Sequence, residues 1–198
     1  MAGYDPLACD PALADAIVRE GATDALPSLR LLGALVTSAE AAEHARLAEI
    51  HPPVLHTHDR YGNRVDEVEF HPSWHWLLRT AVGWGLHGTP WVAEPGTGAH
   101  VARAAGFYLM AQLESGHGCP ISMTYAAVPA LRRDPELAAA YEPGLRATVY
   151  QPGLAAPSTK TGLLAGMSMT EKQGGSDVRA GTTTATPTAD GSYRLIGH

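Results

Sequence analysis

The 198-residue chain is long enough for one good core, or for one domain and the start of another. Hydrophobic residues make up 45% and charged residues 17%, which excludes a disordered chain, and a formal charge of −6 argues against a phosphate-tracking surface within this segment. Cys9 and Cys119 are too few and too far apart for a disulfide framework or a metal-ligand spacing, and the acidic N-terminus has no long apolar run, so neither a signal peptide nor a membrane span is expected and the protein reads as soluble and cytoplasmic.

Asp10 followed by Pro11 predicts an N-cap and first helical residue, opening a helix through Ile17 that stops at Gly21. Thr37 with Glu40 has the spacing of a capping box before a helix that Pro52 and Pro53 end. The stretch from His56 to Phe70 is rich in turn residues and reads as a loop centred on Tyr61, Gly62 and Asn63. Helices are expected over Ser73 to His87 and over Gly98 to Ser115, the latter with Val101, Ala105, Tyr108, Leu109 and Leu113 on one face. A further helix should run from Ile121 to Leu131, and Asp134-Pro135 should start a short one ending before Pro143.

After Pro157 the pattern changes from a helical period to short Thr-rich and apolar runs separated by Gly-containing turns. Leu163 to Met169 is expected to be a strand, and Asp190-Gly191 between two runs is a hairpin signal. The chain is thus expected to be α+β, with an all-α domain over residues 1–155 and the first strands of a β domain over residues 156–198. Three short strands cannot bury a sheet face, so the sequence reads as cut after His198, with its sheet to be completed by further residues or another chain.

The stretch that carries chemistry runs from Gly166 to Val178. An apolar segment delivers the Thr170 hydroxyl and then breaks into a loop holding Gly174, Gly175, Ser176 and Asp177. Adjacent glycines let a backbone approach a ligand and present unobstructed N–H groups, and a serine adds a donor suited to a phosphate oxygen. The stretch matches neither the P-loop nor the dinucleotide GxGxxG start. Read physically, it is either a phosphate or nucleotide cradle or a tight turn between two strands.

Met169-Thr170-Glu171-Lys172-Gln173-Gly174-Gly175-Ser176-Asp177 resembles the flavin-binding signature of the acyl-CoA dehydrogenase superfamily, in the form found in its AidB branch. The segments Arg60 to His75 and Cys119 to Ala127 resemble the same branch, so the likeness covers nearly the whole chain. It implies an FAD-dependent flavoprotein whose second segment begins a β-barrel domain. Met167, Ser168, Met169, Thr170, Gly174, Gly175 and Ser176 would lie against the cofactor, Thr170 at the isoalloxazine ring and Ser176 at the pyrophosphate. Donors at the ring's polar edge would stabilise charge on the reduced flavin. The resemblance places the next flavin contact, a Trp-containing strand, and the substrate-deprotonating glutamate beyond His198, so no catalytic base is named here.

The expected activity of the complete protein is α,β-dehydrogenation of an acyl-CoA-type small molecule, in a homo-oligomer that the family makes a tetramer. The alternative is an AidB-type protein that binds DNA through a basic C-terminal region and protects it from alkylation, with little dehydrogenase activity. A half-protein completed by a separate chain is a third reading.

Other features have plainer readings. His71 and His75 are four apart and His56, His58 and Asp59 are near in sequence, but Pro72 and Ser73 put a helix start between the first two and no Cys or Glu completes a set. No metal site is expected, and the imidazoles should bond loop carbonyls or pack beside Trp74 and Trp76. Trp74, Trp76, Trp84 and Trp91 read as helix-packing residues, with a share in a ligand pocket as the alternative. Asp66, Glu67 and Glu69 read as a solvated acidic stretch, and Glu171 as a residue that holds its loop.

Overall fold

The computed structural model describes residues 3–198. The chain forms two units, Met1–Ala165 and Gly166–His198.

The first unit is built from helices whose starts are fixed by carboxylates and hydroxyls. Asp5 accepts from the Leu7 and Ala8 amides and starts α1 (Pro6–Cys9); Asp10 accepts from the Leu13 amide and starts α2 (Pro11–Arg19), as the Asp-Pro pair predicts. Gly21, in the left-handed region at φ 81°, turns the chain out of α2. A 3₁₀ turn over Thr23–Ala25 leads into α3 (Leu26–Val36), a helix not read from the sequence. α4 (Ala39–Ile50) corrects the expected cap: Ser38, not Thr37, accepts from the Ala41 amide. The Thr37 hydroxyl turns back instead, 2.9 Å from the Gly33 carbonyl and 3.0 Å from that of Tyr4, closing the end of α3.

The expected loop after α4 is a β-hairpin, so the helical unit is not all-α. β1 (Val54–His58) pairs antiparallel with β2 (Arg64–Glu69), with a register shift between His56 and His58. The turn residues were read correctly, but Val54, Leu55, Val65 and Val68 around them supply strand propensity that was passed over. Asp59 closes the turn by accepting from the amides of Tyr61 and Asn63 and the Asn63 side chain. Both strands are exposed along their whole length.

α5 (Pro72–Gly83), α6 (Ala99–Leu113), α7 (Gly118–Leu131) and α8 (Pro135–Leu145) follow in the expected order. The buried side of α6 is Ala105, Gly106, Leu109 and Met110; Tyr108, placed on that face from the sequence, is 47% exposed and donates to Asp10. α8 does not end before Pro143 but carries it within its last turn. α7 likewise contains Pro129, which has no N–H to give the Tyr125 carbonyl four residues earlier. That carbonyl accepts from the Trp91 indole at 2.9 Å instead.

The core joins Leu7, Ile17, Leu29, Leu32, Leu78, Val82, Leu109, Met110 and Ile121 from α1, α2, α3, α5, α6 and α7 with Leu86 from the turn after α5, and Trp74 and Trp84 pack against it. Each fully buried leucine contributes roughly 1.5–3 kcal/mol of transfer free energy. α3 packs on α6, α4 on α5 and α7 on α8. A Cβ on Gly106 would sit 2.7 Å from a Leu86 methyl, so the bare glycine sets how closely the core closes on α6.

The predicted strand over Leu163 to Met169 is not formed; the segment belongs to neither sheet. Its first amides are drawn elsewhere, Leu163 N–H to the Gly144 carbonyl at 3.0 Å and Ala165 N–H to the Thr124 hydroxyl at 3.0 Å. An apolar run becomes a strand only where a neighbour supplies a ladder.

In the second unit, β3 (Thr184–Pro187) pairs antiparallel with β4 (Tyr193–Ile196) around the Asp190-Gly191 turn, as the sequence predicts. Asp190 accepts from the hydroxyls of Thr188 and Ser192 and from the Ser192 amide, which holds its carboxyl at about 2. None of the described residues of this unit is buried.

Candidate functional site

In the second unit, Met167, Ser168, Met169 and Thr170 run without regular secondary structure and are exposed. The chain then turns: the Gly174 amide donates to the Glu171 carbonyl at 2.9 Å, and Gly174 adopts φ 105°, which disfavours a side chain there. The turn carries Gly175 back to Thr170. A Cβ on Gly175 would lie 2.9 Å from the Thr170 hydroxyl oxygen, so the second glycine is needed for this close approach. Ser176 follows at once, exposed, and a single 3₁₀ turn over Val178–Ala180 leads to β3. The structure therefore brings Thr170 and Gly175 together and leaves the hydroxyls of Thr170 and Ser176 facing no partner among the described residues.

Glu171 closes the loop. One carboxylate oxygen accepts from the Thr182 amide at 2.8 Å and the Thr182 hydroxyl at 2.9 Å, and the other from the Thr183 amide at 2.9 Å. These donors, the Thr182 amide first, hold its carboxyl at about 2. A Cβ on Gly181 would stand 3.2 Å from the same carboxylate, so Gly181 leaves the room Glu171 occupies. A carboxylate so engaged is a poor proton acceptor, and its structural reading from the sequence holds.

The helical unit has its own cleft, of 510 Å³, lined among others by Phe70, Trp74, His75, Leu78, Tyr150 and Leu154. Phe70 and Trp74 stack with centroids 3.9 Å apart, and the His75 Nδ1 lies 2.6 Å from the Tyr150 hydroxyl. Burial, reinforced by the Arg79 charge, lowers the His75 pKa, and burial pushes the Tyr150 phenol up to about 12 against the pull of Arg79. At neutral pH this is an uncharged hydrogen-bonded pair, in a cleft that Asp66, Glu67 and Lys160 also line. Tyr150 was missed in the sequence because nothing local joins it to a histidine 75 positions away. A larger hollow of 680 Å³, lined by Tyr4, Arg46, Glu49 and Glu114 among others, mixes charges of both signs and holds none of the loop residues above.

The histidines are engaged with side chains more than with loop carbonyls. His71 caps α5 through the Ser73 amide and stacks on His51 with centroids 4.6 Å apart, and His44 stacks on Trp76 at 4.5 Å and bonds the Ser73 hydroxyl at 3.0 Å. His56 pairs with Glu69 across the hairpin at 2.7 Å. Trp91, in the 3₁₀ turn Thr89–Val92, joins His100 of α6 and Tyr125 of α7 in a second aromatic group, with Arg103 over Tyr125. Among the described residues, no helix is long and apolar enough to cross a membrane.

Residues 1–152 match the family model of the adaptive response protein AidB N-terminal domain. The chain is 45% identical over 190 residues to the putative acyl-CoA dehydrogenase AidB of Escherichia coli K12, which covers 96% of the chain and 35% of that protein. It is 30% identical over 178 residues to acyl-CoA dehydrogenase family member 11 of Caenorhabditis elegans, covering 86% of the chain and 27% of that protein. Among solved structures, the apo form of Bd2924 is similar with a TM-score of 0.82 and 29% identity, over 99% of this chain and 39% of that one. Caenorhabditis elegans ACDH-11, solved in complex with C11-CoA, is similar with a TM-score of 0.80 and 26% identity, over 99% and 33%. The chain thus spans about a third of the length of these relatives.

Proposed function

The chain belongs to the AidB N-terminal domain family, and from that premise we propose that it supplies part of the FAD site and one wall of the substrate cavity of an acyl-CoA dehydrogenase-like oxidoreductase. The observation that carries the reading is the loop around Thr170. Its closure is done by Glu171 and by Gly174, so the hydroxyls of Thr170 and Ser176 remain available to a ligand. A pair of hydroxyls beside two small residues fits a cofactor with a polar ring edge and a pyrophosphate. FAD, when bound, supplies the two-electron acceptor chemistry of α,β-dehydrogenation of an acyl-CoA thioester.

In this reading Met167, Ser168, Met169 and Thr170 line the flavin ring, Gly174 and Gly175 permit close backbone approach, and Ser176 binds a phosphate oxygen. The cleft at Trp74, His75 and Tyr150 is proposed as part of the acyl-facing wall, where the stacked Phe70 and Trp74 and the uncharged His75–Tyr150 pair offer a surface for an apolar chain. The C11-CoA complex of ACDH-11 supports an acyl-CoA thioester as ligand class. By likeness to the family, we infer that the complete protein acts in the cytoplasm as a homotetramer.

The test is flavin titration of the complete protein. Ser176→Ala should remove one charge-assisted hydrogen bond, about 1.5–3 kcal/mol of binding. Gly175→Val should weaken binding further, because its side chain would collide with Thr170 and block backbone approach. Undiminished FAD affinity in both variants would sink the assignment.

A further inference from the structure

We propose that Glu171 is the positioning residue of this loop: by gripping the chain at Thr182 and Thr183 it fixes where Thr170 and Ser176 stand relative to each other, and so sets cofactor affinity without touching the cofactor. The inference rests on the flavin reading of the loop given above.

The loop from Lys172 to Gly181 has no buried residue with which to anchor itself. Apart from the turn at Gly174 and the 3₁₀ turn at Val178–Ala180, what fixes it is the Glu171 carboxylate, which ties the residue before its first to the two residues that follow its last. Three donors meet that carboxylate, two of them backbone amides, so the grip acts on the path of the chain and not on one rotatable side chain. Such hydrogen bonds to a charged acceptor are about twice as strong as neutral ones. Glu171 also shares a peptide unit with Thr170, so holding one orients the other. Two glycines are spent on this arrangement: Gly181 makes room for the carboxylate and Gly175 makes room for the Thr170 hydroxyl.

A ligand that needs both hydroxyls gains from having them already in place. Released from Glu171, the loop would have to be ordered at the moment of binding, and affinity would fall by the cost of that ordering. The carboxylate charge is what the three donors need; an amide of the same shape presents one weaker acceptor and two donors that face other donors.

The experiment uses the complete protein. Glu171→Gln should weaken FAD binding about 10- to 100-fold. Without FAD, trypsin should cut the variant faster than the parent at Lys172 and Arg179, the two basic residues inside the loop, and saturating FAD should restore resistance. The thermal unfolding of the helical unit should not change. Thr182→Val, which removes one donor and leaves the loop backbone alone, should produce the same pair of effects at smaller size. This second variant keeps the test intact if Glu171→Gln does not fold. Parent-like FAD affinity and trypsin resistance in either variant that folds, alongside weakened binding in Ser176→Ala and Gly175→Val, would overturn the positioning role and leave the flavin reading standing. If Ser176→Ala and Gly175→Val also bind FAD like the parent, the loop is not the flavin site and both proposals fall.

Discussion

The two units of this chain hold their shapes by different physics. In Met1–Ala165, leucines such as Leu32, Leu78 and Leu109 are removed from water and the helices are fixed by what they bury. In Gly166–His198 nothing is buried, and beside the β3–β4 ladder and two backbone turns the geometry comes from two carboxylates, Glu171 and Asp190, each collecting three donors from the few residues around it. Burial fixes a region by surrounding it, which hides its polar groups. A carboxylate at a turn fixes a loop while leaving other donors open to solvent. A site that must present hydroxyls to a polar cofactor is better served by the second device.

The largest effects expected lie in the buried unit. Leu32→Ala or Leu109→Ala removes a side chain at most 1% exposed and should cost about 2–5 kcal/mol, read as a lower denaturation midpoint. The amide resonances of Thr182 and Thr183 should not move, because their partner is Glu171. A loss below 1 kcal/mol, or a shift at those amides, would break the contrast between the units. Gly106→Ala is the opposite kind of change: it adds a methyl where a Leu86 methyl stands 2.7 Å away, and should cost about 1–3 kcal/mol despite better helix propensity. A stabilised Gly106→Ala variant would show that α6 packs more loosely than described.

A smaller effect is expected at the cleft. Tyr150→Phe removes the partner of His75 but keeps the ring, and should cost about 1 kcal/mol. On the proposed dehydrogenase reading it should also admit water to the acyl cavity, measured as faster loss of reduced flavin to oxygen in the complete protein. Unchanged stability and unchanged reoxidation would remove Tyr150 from the proposed wall.

The sequence was most legible where a local signal decides the structure alone. Asp10-Pro11 and Asp134-Pro135 each opened a helix, and Asp190-Gly191 made its hairpin, because these residues act on their own backbone. Reading failed where a neighbour decides. Leu163 to Met169 has the composition of a strand, yet its first amides bond Gly144 and Thr124 on distant helices. β1 and β2 are hidden because their residues do not alternate and the turn residues between them dominate the composition. α3 was missed although Leu29, Leu32, Gly33 and Val36 follow helical spacing, since no cap residue marks its start. At the candidate site, the Thr170 to Ser176 stretch could be singled out from hydroxyls and glycines, whereas the bond from Glu171 to Thr182 and Thr183 spans 11 and 12 positions and leaves no pattern. Tyr150 beside His75 is invisible for the same reason.

The smallest effects expected are titrations, and they separate the units by pH range. In the helical unit burial lowers the His87 pKa below its ordinary 6.5, against the pull of the Ala147 carbonyl, to which Nε2–H donates at 3.0 Å. Its Nδ1 is buried without a partner, so protonation there would bury both a charge and an unpaired N–H. The His75 pKa is lowered as well, by burial first. The unfolded chain therefore takes up these protons at higher pH than the fold does, and their contribution to stability is full above about pH 6.5 and declines as pH falls below it. Glu171 and Asp190 are also depressed, to about 2 from 4.5 and 3.8, but their contribution persists until pH drops below those ordinary values and is lost on the way to about 2. Between pH 6.5 and 4.5 the helical unit should weaken while the loop stays clamped. Thermal melts across that range should show a falling midpoint that His87→Gln flattens, and hydrogen exchange at the Thr182 and Thr183 amides, corrected for intrinsic rates, should stay constant. Exchange that quickens there along with the falling midpoint would mean the loop depends on the helical core and not on Glu171.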